Sequence, residues 1–146
     1  MALLDTLKTD MKTAMKAREK ERLGVIRMLI SDLKNMLIDK AELSEADELS
    51  FLSTQAKKRR QSIEEYEKAN RADLADIERA ELAIIQTYLP APLSEDEVRK
   101  IIAAAIEATG AASPSDMGKV MGKVMPQVKG RFDGAAVRPL VQAALA

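Results

Sequence analysis

The residues with types and spacing that bear on chemistry lie between positions 118 and 134. Lys119 and Lys123 stand four apart on one helical face, Lys129 and Arg131 flank Gly130, and Gly118, Gly122, Asp133 and Gly134 punctuate the run. Over residues 117–146 the cations are Lys119, Lys123, Lys129, Arg131 and Arg138 against Asp133 alone, five minus one, a local charge of plus four. Such a face suits phosphate oxygens, which ammonium and guanidinium groups attract by charge. The chain as a whole does not share this bias. Its 146 residues hold 23 Lys plus Arg and 23 Asp plus Glu, so any attraction to a polyanion is local.

Other chemistry is hard to build. Cysteine and histidine are both absent, which removes thiol nucleophiles, imidazole bases, disulfides and ordinary zinc sites together. No phosphate cradle accompanied by metal-binding carboxylates is visible, and spacing identifies no partners for Glu64, Glu65 and Glu67. The expectation is therefore a chain with no catalytic residue, no metal and no cofactor of its own. The N-terminus scatters charges among its leucines, and no apolar run approaches the roughly 18 residues of a membrane span. A soluble, unprocessed protein of a reducing cytoplasm is expected, with no membrane partner.

The elements that must position the basic residues are helical. Ser113, Pro114 and Asp116 predict a helix beginning at Pro114. Met117, Val120, Met121, Val124, Met125 and Val128 follow as an apolar stripe. Gly118 and Gly122 share another face and cost roughly 1 kcal/mol each against alanine, so a second helix or a ligand backbone should come close there. Gly130 is expected to end the helix in the left-handed conformation, with Asp133 and Gly134 capping one more helix. That turn would bring Lys129 and Arg131 near the last helix's open amides, a corner that fits a phosphate. Pro126 and Pro139 fall inside the two helices and should kink them or delay their start.

Upstream, every periodic segment repeats at helical spacing and none alternates with period two. Leu4, Leu7, Met11 and Met15 mark a first helix. Leu23, Ile26, Ile30, Leu33 and Leu37 mark a second, with a break where the apolar phase is interrupted near residues 18–20. Ser44 and Asp47 read as a capping pair for a third helix over residues 45–69, with Leu49, Leu52, Ala56, Ile63 and Tyr66 inward and Asn70 as its end. Within it, Lys57, Lys58, Arg59 and Arg60 form the densest basic run. It reads either as a solvated face balanced by Glu64, Glu65 and Glu67 or as an RNA-phosphate contact. A fourth helix carries Leu74, Ile77, Ile84, Ile85 and Tyr88 before Pro90 and Pro92 stop it. Ser94 with Glu97, and Leu93 with Val98, then start a fifth helix that Gly110 ends. The fold expected is all-α: a four-helix N-terminal region over residues 1–89, a proline linker at 90–93, and a three-helix tail over 94–146.

The pattern GKVMxxVKGRxDGxxVxxLV in the tail resembles the signature of the GatB/YqeY family, and ERLGVIRML, SIEEYEKANRADL and ELAIIQTYLPAPLSEDE resemble the N-terminal region of the free-standing members. The resemblance covers almost the whole chain. Phe132, where the family more often has a small residue, and Pro139 depart from it. In the glutamine-dependent tRNA amidotransferase the similar tail helps to hold tRNA. The resemblance therefore implies an accessory protein that contacts tRNA, associated at most with carbon–nitrogen ligase activity that uses glutamine as amido donor. Carried over residue by residue, it singles out Gly118, Lys119, Gly122, Lys123, Lys129, Gly130, Arg131 and Asp133. Two other readings stay open. The methionine stripe and glycine face could dock a partner helix, as in a protein-interaction adaptor, or the methionines could pack the tail's own core while the lysines are merely solvated.

Overall fold

A computed structural model describes residues 2–146. Among them are seven α-helices and no strand: α1 (Ala2–Ala17), α2 (Lys20–Asp39), α3 (Glu45–Lys68), α4 (Ala72–Gln86), α5 (Glu95–Thr109), α6 (Met117–Val128) and α7 (Gly134–Leu145). A 3-10 turn, Pro114–Asp116, precedes α6. The chain divides into two compact units, the first ending at Tyr88 and the second running Leu89–Ala146.

In the first unit α1 packs on α2 and α3 on α4, with α2 also against α4. No glycine marks the α1–α2 break. The chain turns at Arg18, whose φ of 58° is left-handed, with Arg18 N bonded to Met15 O and Glu19 N to Ala14 O. This paired 5→2 and 6→1 closure is the Schellman arrangement, and Asn70 at the end of α3 repeats it with Tyr66 and Glu67 as acceptors. The side of α1 that faces the core is rotated from the expected stripe. Leu3, Leu7 and Ala14 are buried, whereas Met15 is half exposed. On α4 the same shift buries Ala75 and leaves Ile77 exposed.

Ser44 caps α3 as its sequence suggests, its hydroxyl accepting from Asp47 N while Asp47 Oδ2 accepts from Ser44 N. Lys40 Nζ adds a 2.6 Å bond to the same Oδ2. The Lys40 ammonium and the Ser44 amide together hold the Asp47 carboxyl down at about 2. Tyr88, in the turn after α4, reaches back to α1, where its hydroxyl donates to Asp10 Oδ2 at 2.6 Å.

In the second unit α5, α6 and α7 pack mutually. Val98, Ile102 and Ala105 of α5 meet Val120, Val124 and Val128 of α6 and Val137, Val141 and Leu145 of α7, all buried. Ser94 caps α5, accepting from Glu97 N, and Gly110 closes it with φ 67° and bonds to Ile106 and Glu107. Residues 90–93 are bonded into this unit: Leu93 N donates to Arg131 O at 2.7 Å, and Arg131 Nε donates to Ala91 O at 3.0 Å.

Candidate nucleic-acid interface

The geometry of α6 follows from one residue type at one spacing. Val120, Val124 and Val128 form an i, i+4 row and are fully buried. At about 100° per residue, positions two before each valine lie on the opposite side of the cylinder. Those positions are Gly118, Gly122 and Pro126, and all three are exposed. Lys119 and Lys123 border this outer row and are exposed as well. Met117, Met121 and Met125 lie on the core side, half-buried against the valine cluster, so the methionine stripe belongs to the tail's own core.

The start of α6 differs from the expected one. Pro114 begins a single 3-10 turn and the α-helix starts at Met117. Ser113 makes no capping bond to a backbone amide and its hydroxyl pairs with that of Ser115. Asp116 closes the loop instead, its Oδ2 accepting from Ala112 N at 3.0 Å, and this amide is the chief reason its carboxyl is held below the usual range. Lys119 Nζ lies 3.9 Å from the other oxygen of Asp116, with its side chain 71% exposed. Lys123 and Lys129 are exposed and make no ion pair among the described residues.

The glycines behave unlike their expectation. A Cβ placed on Gly118 or Gly122 meets no atom within 4 Å. No helix of the unit crosses there, and the smallness of these residues serves no internal packing. The prolines also leave both helices continuous from Met117 to Val128 and from Gly134 to Leu145. Pro126 and Pro139 are exposed, as are Gly122 and Ala135 four residues before them, whose carbonyls the prolines leave without a helical donor.

Gly130 has φ 76°. Lys129, at φ −57° and ψ 126°, precedes it, and Arg131 N bonds to Val128 O at 2.9 Å. Together these make a type II turn, whose third residue must have positive φ. The turn carries Arg131 back over residues 91–93, where its carbonyl and its Nε are both engaged and its side chain is half-buried. Arg131 is thus a strap-holding residue as well as a cation. The expected phosphate corner at the start of α7 is occupied from within. Asp133 Oδ1 accepts from Ala135 N at 3.1 Å, so an anion there would meet a carboxylate.

The basic run in α3 separates by burial. Lys57, Lys58 and Arg60 are exposed, but Arg59 is only 9% exposed. Its Nε donates to Glu81 Oε2 at 2.8 Å and lies 3.6 Å from Glu78, and an Nη contacts Met28 Sδ at 3.3 Å. Beside it, buried Gln55 donates to Asp32 Oδ2 at 3.2 Å. Spacing held a signal that the charge obscured, since Arg59 stands seven residues, two helical turns, from buried Leu52. Glu64 and Glu67, expected to balance the run, pair with Lys68 and Arg79.

No helix among the described residues is long and apolar enough to cross a membrane. Nor do the described residues contain a cluster of three or more acidic side chains able to hold a metal ion.

With this geometry in place, comparison with known proteins bears on the chain as a whole. The profile of the family described as "Yqey-like protein" matches residues 4–145. The "Altered inheritance of mitochondria protein 41, mitochondrial" of Meyerozyma guilliermondii is 34% identical over 148 residues, spanning 96% of this chain and 76% of that protein. The protein of the same name in Pyrenophora tritici-repentis is 32% identical over 133 residues, spanning 88% and 72%. In Vanderwaltozyma polyspora the likeness is 42% over 86 residues, 57% of this chain and 46% of that one. These names overturn the cytoplasmic expectation, since relatives named as mitochondrial point to mitochondria instead. The physical reason is that a lack of cysteine suits any reducing compartment and does not choose among them.

Proposed function

The chain belongs to the Yqey-like protein family, and on that premise we propose that it is a non-catalytic helical accessory protein whose tail contacts tRNA through the basic outer face of α6. In this reading residues 1–89 form a four-helix scaffold, residues 90–93 a strapped connector and residues 94–146 a three-helix RNA-contacting tail. Amide transfer with glutamine as donor, where such chemistry is involved, belongs to a partner. The observation that carries the reading is that Lys123 and Lys129 are exposed without an ionic partner among the described residues, while Lys119 touches Asp116 only at 3.9 Å. Solvated lysines are common, but Lys119 and Lys123 border an open glycine row and Lys129 follows directly at the end of the same helix. Arg131 supports this face by fixing the Gly130 turn that follows Lys129.

Filter binding of total tRNA to the full chain across a salt series tests the proposal. Three lysine contacts give a log–log slope of about −2 to −2.7, at roughly 0.7 to 0.9 per phosphate. Lys119→Ala, Lys123→Ala and Lys129→Ala combined should abolish most of that slope while leaving thermal stability nearly unchanged, since exposed charges add little to folding. No tRNA binding at low salt, or an unaltered slope in the triple variant, replaces this reading with that of a protein-interaction adaptor.

A further inference from the structure

Helix α1 carries more apolar surface than its own unit uses. Leu3, Leu7 and Ala14 face the core, and beside them a second row of Leu4, Met11 and Met15 falls within about 40° of one line along the helix. Leu4 and Met11 are only half-buried, and Met15 is 50% exposed. The two ends of this row differ in shape. Leu4 lines a recess of about 390 Å³ together with Leu37, Ala41, Glu42 and Leu43, whereas Met15, three turns further on, is the most exposed of the three. The ends differ in charge as well. Asp5, Lys12 and Lys16 form the adjoining row, again within about 40° of one line. A carboxylate therefore lies at the recess end, where Glu42 adds another, and two ammonium groups lie at the Met15 end. All four charged residues are exposed and enter no ion pair among the described residues.

We propose that this face of α1 binds the same face of a second copy of the chain, the two helices antiparallel about a twofold axis. The face is self-complementary. When Leu4 of one copy lies opposite Met15 of the other, Met15 enters the recess beside Leu4, and by symmetry this happens twice. In that register Asp5 falls between Lys12 and Lys16 of the second copy, about 3 Å along the axis from each at 1.5 Å per residue. Opposite charges then adjoin at both ends. A parallel pairing would set like charges side by side. An anionic membrane or a wholly acidic partner helix would be repelled by Asp5 and Glu42 at the recess end, and a flat surface would leave the recess empty. Lys8 stands near the twofold axis in a seam of Leu4, Lys8, Met11 and Met15 spaced four, three and four, where a polar residue fixes register at a cost in affinity. Its stem covers the seam while the ammonium reaches water. The pairing is independent of the tRNA reading, since it uses none of Lys119, Lys123 and Lys129.

Sedimentation velocity of the full chain over about 1–300 µM tests the pairing, a range that suits a small interface. A monomer–dimer equilibrium is expected, weaker when salt rises from about 0.05 to about 0.5 M because exposed charges are then screened. Asp5→Lys in one sample, and Lys12→Glu with Lys16→Glu in another, should each weaken self-association about tenfold or more. Mixed together, these two variants should form a heterodimer, since each supplies the charges opposite to those of the other. Met15→Gln should abolish the dimer, and Lys8→Leu should tighten it. All of these positions are exposed, so circular dichroism should show unchanged helicity. A monomer throughout the concentration range, or a dimer indifferent to Met15→Gln and to both charge reversals, overturns the proposal. So does failure of the two charge-reversed variants to pair with each other.

Discussion

Arg59 on α3 donates its Nε to Glu81 Oε2 on α4 at 2.8 Å, from a side chain that the helices leave only 11% exposed. Glu78 lies 3.6 Å away on the next turn. Burial and the neighbouring Glu81 push the Glu78 carboxyl up, and Arg59 pulls it back. Removing the guanidinium leaves two partly buried carboxylates facing each other. Arg59→Met should lower stability by about 2–4 kcal/mol, the range for truncating one member of a buried charge pair. Arg59→Met combined with Glu78→Gln and Glu81→Gln should recover much of the loss in urea denaturation. A loss below about 0.5 kcal/mol for the single change would show that the pair is as weak as a surface one.

Asp47 is held near 2 by Lys40 and Ser44, below its unfolded value of about 3.9. A depressed carboxyl contributes stability that is present above the unfolded value and is lost as pH falls through the folded one. The melting temperature should therefore drop between about pH 4 and pH 2 in excess of the decline shown by Asp47→Asn. Parallel melting curves for the two proteins over that window would refute the assignment.

Tyr88 shifts the other way. Burial, then the bond to Asp10, pushes its phenol up to about 12, against about 10 unfolded. A raised value favours the neutral form, so its contribution is complete below pH 10 and lost as pH rises toward 12. Tyr88→Phe removes the hydroxyl and should destabilise by about 1 kcal/mol at neutral pH, with a flatter alkaline limb. Ultraviolet titration of the phenol in the native chain gives an independent reading.

Gly130 at φ 76° occupies a position where other residues meet steric strain. Gly130→Ala should cost about 1–2 kcal/mol and loosen the bonds from Arg131 to residues 91 and 93. Hydrogen exchange at the Leu93 amide, whose acceptor is Arg131 O, should quicken in that variant. An unchanged exchange rate would mean that the strap does not depend on the turn.

The helices and their caps were largely legible from the chain, because Ser44, Ser94, Gly110, Asn70 and Asp133 announce their roles by type and position. The α1–α2 break was visible only as a lapse of apolar phase, since Arg18 takes a conformation that glycine usually signals. Which side chains are buried was read less well. Ala75 is buried and Ile77 exposed because packing distance between helices, not hydrophobicity, decides which small residue lies at a contact. Arg59 was hidden inside a basic run whose charge suggested solvent. The α6 glycines gave an accurate sign of small volume but no sign of what that volume is for. Periodicity reports a helix's faces; it does not report which of them the protein itself fills.

The contacts of this fold are also short in sequence. α1 packs on α2, α3 on α4, α5 on α6 and α6 on α7, each pair joined by a brief loop, and the packing of α2 on α4 and of α5 on α7 spans only one intervening helix. Chain entropy lost in closing such loops is small and is recovered at once by burial of neighbouring valines and leucines. The search for the native arrangement is therefore local, and each unit should refold in microseconds to milliseconds, in the range of helical bundles of low contact order.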